Sequence, residues 1–163
     1  MNRVPIKSGP DSLIVWEALL RTSTTLIQIL EHELVESEHL PLSWYDVFVQ
    51  LSLANDGRLR MQALADSVVF SPSGLTRLID RMEKAGMVKR EQTKDDRRGY
   101  FISITPKGQH TFAKARRVHH RGINEHFVRH LTGREIESLY AALSKLRAGL
   151  REATSGITSS TAS

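Results

Sequence analysis

The stretch LRMQALADSVVFSPSGLTRLIDRMEKAGMVKR, Leu59 to Arg90, restricts the folds open to this chain more than any other part of it. Met61, Leu64, Ala65 and Val68 give apolar spacing for one short helix. Ser71 then offers an acceptor to an unpaired amide, and Pro72 lacks an N–H where a first helical turn would leave it unpaired, so a second helix starts there. In that helix Leu75, Leu78, Ile79 and Met82 form one stripe, while Ser73, Thr76, Arg77, Asp80, Arg81 and Lys84 project elsewhere. Gly86 is a natural stop. The period then changes: Met87 to Gln92 and Tyr100 to Ile104 alternate as strands do, joined by the charged loop Thr93 to Gly99.

Two successive helices of this kind, the first short and bracing the second, have the layout of a helix-turn-helix, whose second helix enters the major groove of DNA. Ser71, Ser73 and Thr76 carry short hydroxyls suited to phosphates and base edges, and Gly74 lets the backbone approach more closely. Arg77 has the reach for a bidentate guanine contact, whereas Arg81 and Lys84 lie further along and suit phosphate. A basic hairpin directly after a reading helix makes it a winged helix, and Lys89, Arg90, Lys94, Arg97 and Arg98 all fall on that hairpin.

The flanks read as helices. Leu13, Trp16, Leu19, Leu20, Leu26, Ile27, Leu30 and Leu34 recur at helical spacing, opened by Asp11 or Ser12 as cap. Ser43 with Asp46 resembles a cap before Tyr45, Val47, Phe48, Leu51 and Leu53, and Asn55, Asp56 and Gly57 read as a turn. Thr105 and Pro106 launch a helix toward His130. Thr132 to Glu135 fits a capping box ahead of Ile136, Leu139, Tyr140, Leu143, Leu146 and Leu150. The terminal TSGITSSTAS, small and polar, is expected to be disordered.

At 163 residues, one domain is expected. It is mainly α with a small β-hairpin wing. A winged helix of this size cannot bury Leu13 to Leu34 and Ile136 to Leu150 alone, so a homodimer is the economical expectation. The net charge of +5 is segmental. Residues 1–57 carry 3 Lys and Arg against 8 Asp and Glu; residues 58–98 carry 10 against 6; residues 99–163 carry 10 against 4. Basic residues gathered after Arg58 suit a polyanion, since cations on phosphates release condensed counterions. No continuous apolar run approaches the ~20 residues of a membrane span, the N-terminus lacks a signal-peptide core, and there is no Cys; a cytosolic chain without a membrane partner is expected.

The order of elements and the block TKDDRRGYFISITPKG are similar to the MarR family of bacterial transcriptional regulators over roughly residues 11–151. That family's wing carries Asp-x-Arg before a Leu-Thr and a Gly; Asp96, Arg98, Ile104-Thr105 and Gly108 correspond, with Ile for Leu. The resemblance implies dimerisation helices at about 11–38 and 106–151, a winged helix-turn-helix at about 42–105, and a tail at 154–163. It implies that Arg98 enters the minor groove, where the negative potential is enhanced, and that Asp96 restrains its guanidinium. Arg97 is the alternative. The implied function is a homodimer on a pseudo-palindromic double-stranded operator, more often repressing than activating, and frequently released by a phenolic or anionic ligand. Trp16, His39, Trp44 and Tyr45 are the candidate pocket residues, although packing accounts for each of them as well.

Other chemistries have little support. No nucleophile elbow, phosphate-binding Gly loop or HExxH is present, so no enzyme and no cofactor are expected. His126 and His130 share a helical face near His119 and His120, but Arg116, Arg117, Arg121 and Arg129 crowd them with like charge, and no metal is assigned there. His32 and His39 beside Glu31, Glu36 and Glu38 form a second weak cluster. The remaining rivals are a winged helix turned to protein or RNA binding, and a metal-responsive regulator.

Overall fold

The computed structural model describes the backbone of residues 11–68, 72–92 and 100–160, and their side chains apart from those of 72–73 and 152–160. Helix α1, Ser12–Glu38, opens with Asp11 as cap, its carboxylate accepting from the Leu13 amide at 3.1 Å. It closes on His39, whose left-handed conformation (φ 49°) turns the chain so that the Leu40 N–H reaches the Leu34 carbonyl at 3.4 Å, while the His39 N–H donates to Val35 at 3.0 Å. Helix α2 spans Leu42–Leu53. Its cap is not the expected Ser43 and Asp46. Pro41 precedes the helix, and Glu31 on α1 accepts from the Leu42 amide at 3.1 Å, so a tertiary carboxylate serves an orphan donor that the local sequence leaves open.

Strand β1, Arg58–Arg60, leads into α3, Met61–Ser67, and then α4, Pro72–Lys84. Gly86, at φ 74°, ends α4 with its N–H on the Glu83 carbonyl (2.8 Å) and the Met87 N–H on Met82 (2.9 Å), the paired bonds of a Schellman turn. Strands β2, Val88–Gln92, and β3, Tyr100–Ile104, pair antiparallel as the expected hairpin, Val88 opposite Ile104 and Gln92 opposite Tyr100. The sheet has three strands, not two. β1 adds to the free edge of β3, with Leu59 opposite Ile102. Three residues offer too little alternation to reveal a strand, so the sequence conceals it.

Helix α5, Pro106–His126, begins as expected: Thr105 Oγ1 accepts from the Gly108 amide at 3.0 Å. It stops short of His130, and Val128–His130 form a 3₁₀ turn. Helix α6, Gly133–Ser160, opens on a reciprocal capping box. Glu135 accepts from the Thr132 amide at 2.8 Å, and Thr132 Oγ1 accepts from the Glu135 amide at 3.4 Å. The helix runs through Ser160, beyond the expected end near Arg151.

By internal contacts the chain divides into two compact units, Met1–Gly122 and Ile123–Ser163. In the first unit Leu34, Leu40, Val47, Phe48, Leu51, Leu64, Leu75, Leu78, Ile79, Met82, Val88 and Ile102 close one core. Tyr45 and Phe48 pack against Phe112 of α5 in tilted ring contacts, each with centroids 5.5 Å apart. The second unit contains no fully buried residue among those described, and Tyr140, Leu143, Leu146 and Leu150 are exposed on α6. On α1 likewise Leu13, Ile14, Val15, Trp16, Leu20 and Ile27 are exposed. By length and mean hydropathy (1.3 over its best 18 residues) α1 is long and apolar enough to cross a bilayer, although its apolar residues form no continuous run. Those two properties do not separate a span from a helix whose apolar surface another chain covers.

Candidate nucleic-acid interface

The core sets which side of α4 faces solvent. Leu75, Leu78, Ile79 and Met82 are buried, and Thr76, Arg77, Asp80, Arg81 and Lys84 are exposed, as the stripe in the sequence required. Arg77, Arg81 and Lys84 follow one another at i, i+4 and i+7, so they stand on one face. None of the three has an ion-pair partner among the described residues. Gly74 lies half-buried in the first turn. Ser73 is on α4 with its side chain outside the described residues, and Ser71 is outside them altogether. So are Lys94, Asp96, Arg97 and Arg98; the assignment of brace and probe on the wing falls on residues the structure does not describe.

Two basic hairpin residues face inward or pair locally instead of standing free. Arg90 Nη2 is 2.5 Å from Asp80 Oδ1, Arg90 Nη1 is 2.5 Å from Glu83 Oε2, and the Arg90 amide donates to Glu83 Oε1 at 3.0 Å. Burial works against the Arg90 charge, the two carboxylates more than offset it, and its pKa is raised. Lys89 is ion-paired with Glu91, whose carboxyl it holds below the ordinary range. Counting hairpin cations therefore overstated those free for a ligand. The signal was present in the alternation: Arg90 shares the parity of buried Val88, and an inward-facing Arg requires acidic partners.

Sequence reasoning also missed Arg58 and Arg60. They lie on β1 with their guanidinium carbons 4.7 and 5.4 Å from the centroid of the Phe101 ring on β3. Their parity puts them on the outer sheet face, where stacking on an aromatic stabilises a cation without neutralising it. Between α3, α4 and the hairpin, Met61, Thr76, Arg90, Tyr100 and Ile102 line a cleft of about 380 Å³.

The four candidate pocket residues do not gather within one chain. Trp16 and His39 stand at opposite ends of α1, roughly 34 Å apart at 1.5 Å per residue. Trp16 is exposed, His39 is exposed and caps α1 through its backbone, and Trp44 is half-buried on α2. Tyr45 is buried, its ring centroid 4.3 Å from that of His119, and burial raises its pKa. No cluster of three metal-ligating side chains occurs among the described residues.

A short bracing helix, a second helix with its cations outward, and an antiparallel hairpin pinned against that helix define a winged helix-turn-helix. The MarR family model matches residues 42–100, from α2 through β2 to the first residue of β3. The regulator YfiV of Bacillus subtilis is 30% identical over 114 residues, covering 70% of this chain and 71% of its own. The crystal structure of AbsC, a MarR family regulator from Streptomyces coelicolor, superposes with TM-score 0.81 at 30% identity over 91% of this chain and 99% of that one. Sco3205, a MarR family regulator from the same organism solved in complex with DNA, gives TM-score 0.82 at 27% identity over 91% and 93%. This chain belongs to the MarR family of transcriptional regulators.

Proposed function

We propose that the protein is a sequence-specific regulator that binds double-stranded DNA as a homodimer, with α4 in the major groove and the wing in the adjacent minor groove. The observation carrying this reading is the outward face of α4, where Arg77, Arg81 and Lys84 find no ion-pair partner among the described residues while neighbouring Arg90 is neutralised internally. A polyanion completes such a face, and a helix N-terminus with Gly74 and Thr76 suits close approach to base edges. Similarity to a regulator solved with DNA supports the same reading. A protein or RNA partner would need neither groove-spaced cations on α4 nor a hairpin braced beside them.

The exposed stripes on α1 and α6 favour a two-fold partner, and two α4 helices about 34–36 Å apart would read a pseudo-palindrome. Such a dimer on a promoter represses by occupying it. For the effector, the cleft beside Arg90 has a mostly apolar lining, and with Arg90 already paired to Asp80 and Glu83 it suits a neutral phenol better than the dispersed Trp16, His39, Trp44 and Tyr45 do. Selection of bound duplexes from a random library by the purified protein tests the core of this reading. An enriched inverted repeat is expected; enrichment of no motif at low salt overturns it.

A further inference from the structure

Arg90 holds α4 and the wing together at a second point. The first lies at the base of the hairpin, where Thr105 Oγ1 donates to the Gly86 carbonyl at 2.6 Å and the Thr105 amide donates to Met87 at 3.1 Å. With a single polar attachment to α4 the hairpin, with β1 on its edge, would be restrained against that helix only by the apolar packing of Val88 and Ile102, which is non-directional and does not fix its tilt about Gly86. Arg90, central in β2 and opposite Ile102, removes that freedom: its side chain reaches Asp80 and Glu83, one helical turn apart on α4, while Glu83 also accepts from its backbone amide. Only 23% of the Arg90 side chain is exposed, so water screens these bonds less than it screens those of an open surface pair. The bidentate geometry fixes orientation as well as distance.

The lever is long enough to matter. At roughly 3.3 Å per residue, Gln92 lies about 20 Å along the strand from Gly86, so a tilt of about 10° displaces it by about 3.4 Å, one base-pair step. We propose that Arg90 is a positioning residue which, through Asp80 and Glu83, sets the number of base pairs between the major-groove positions read by α4 and the minor groove met by the wing. This rests on the DNA-binding reading above. Asp80 and Glu83, acids on a helix that would approach phosphates, then have a reason to be there: they are turned to the wing and occupied by its cation.

Two measurements test the proposal separately from that reading. The chain has no native Cys, so spin labels on Arg77→Cys and Gln92→Cys report the distance between α4 and the hairpin in the free protein. A narrow distribution is expected with Arg90 in place, and a broadened one in Arg90→Met and in Asp80→Asn/Glu83→Gln. Arg90→Lys, which reaches one carboxylate at a time, should fall between them. An unchanged width in these variants, with the fold retained by circular dichroism, overturns the clasp whatever DNA does. In duplex selection the unlabelled wild type should enrich one spacing between core and flank. Arg90→Met should retain the base preferences of the core but enrich neighbouring spacings, with discrimination between them falling about tenfold. A lower melting temperature with a single retained spacing would show a structural role only. Failure of the wild type to enrich any motif, with the label distributions responding as expected, would remove the DNA reading and the spacing role but leave the clasp. Should Arg90→Met not fold, Asp80→Asn, which keeps both Glu83 bonds, serves in both assays.

Discussion

Gly108 packs its Cα against the carbonyl of Met87 so closely that an added Cβ would lie 2.0 Å from that oxygen and 2.8 Å from Ile104 Cγ2. The obstacle is backbone on one side and a β3 side chain on the other, so neither yields cheaply. Gly108→Ala should therefore destabilise the first unit by about 2–3 kcal/mol through overpacking and the loss of the Thr105 cap, whose Oγ1 accepts from Gly108 N–H. Chemical denaturation of the variant measures this directly. A change below ~0.5 kcal/mol would show that α5 can shift without straining the wing.

The exposed cations of α4 should separate in function. Arg77→Ala is expected to relax base preference at one major-groove position with a loss of ~1–3 kcal/mol, whereas Arg81→Ala and Lys84→Ala should weaken all sequences alike. Removing a cation that neutralises one phosphate should reduce the slope of log affinity against log salt by ~0.9. Arg98→Ala should weaken every sequence and lessen preference for a narrow A·T-rich flank. Equal slopes for wild type and Lys84→Ala in a salt titration would remove that residue from the phosphate set.

These assignments show what the chain makes legible. Periodicity located α4 and its two faces because burial of Leu75, Leu78, Ile79 and Met82 follows directly from a 3.6-residue repeat. Local capping chemistry placed the starts of α5 and α6 for the same reason: Thr105 and Thr132 act on amides three residues away. The failures are non-local. Glu31 caps a helix eleven residues on, β1 is a strand only because β3 has a free edge, and Arg90 is defined by carboxylates seven and ten residues earlier. In each case the partner is supplied by folding, and composition counts the group as though it stood in water.

Acidification should loosen the packing between α2 and α5. His119 packs on Tyr45, its Nδ1 is buried with no hydrogen-bond partner among the described residues, and burial, with His120 nearby, lowers its pKa. A base whose folded pKa is depressed binds protons less readily in the native state than in the unfolded chain. Its contribution is present above the unfolded value near 6.5 and is lost as pH falls through the folded value. Melting temperatures between about pH 7.5 and 5 should therefore decline, and His119→Phe should flatten that decline. An identical pH dependence in the variant would assign the effect to other groups.

The stripe on α6 supplies the last test, because Leu143, Leu146 and Leu150 recur at i, i+3 and i+7 while standing 42%, 48% and 57% exposed. Burying three leucines against a partner yields ~1.5–3 kcal/mol each if burial becomes complete, enough to support association, and a carboxylate in the same place would have to be desolvated without a partner. Leu143→Glu is expected to leave a monomer where the wild type sediments as the proposed dimer, as sedimentation velocity would record, without lowering the melting temperature of the first unit. Specific affinity for an inverted repeat should fall with it, since a monomer engages one half-site and loses the effective concentration of the second. A demonstrated Leu143→Glu monomer that keeps wild-type operator affinity would separate dimerisation from DNA reading, and the two-fold operator would have to be abandoned.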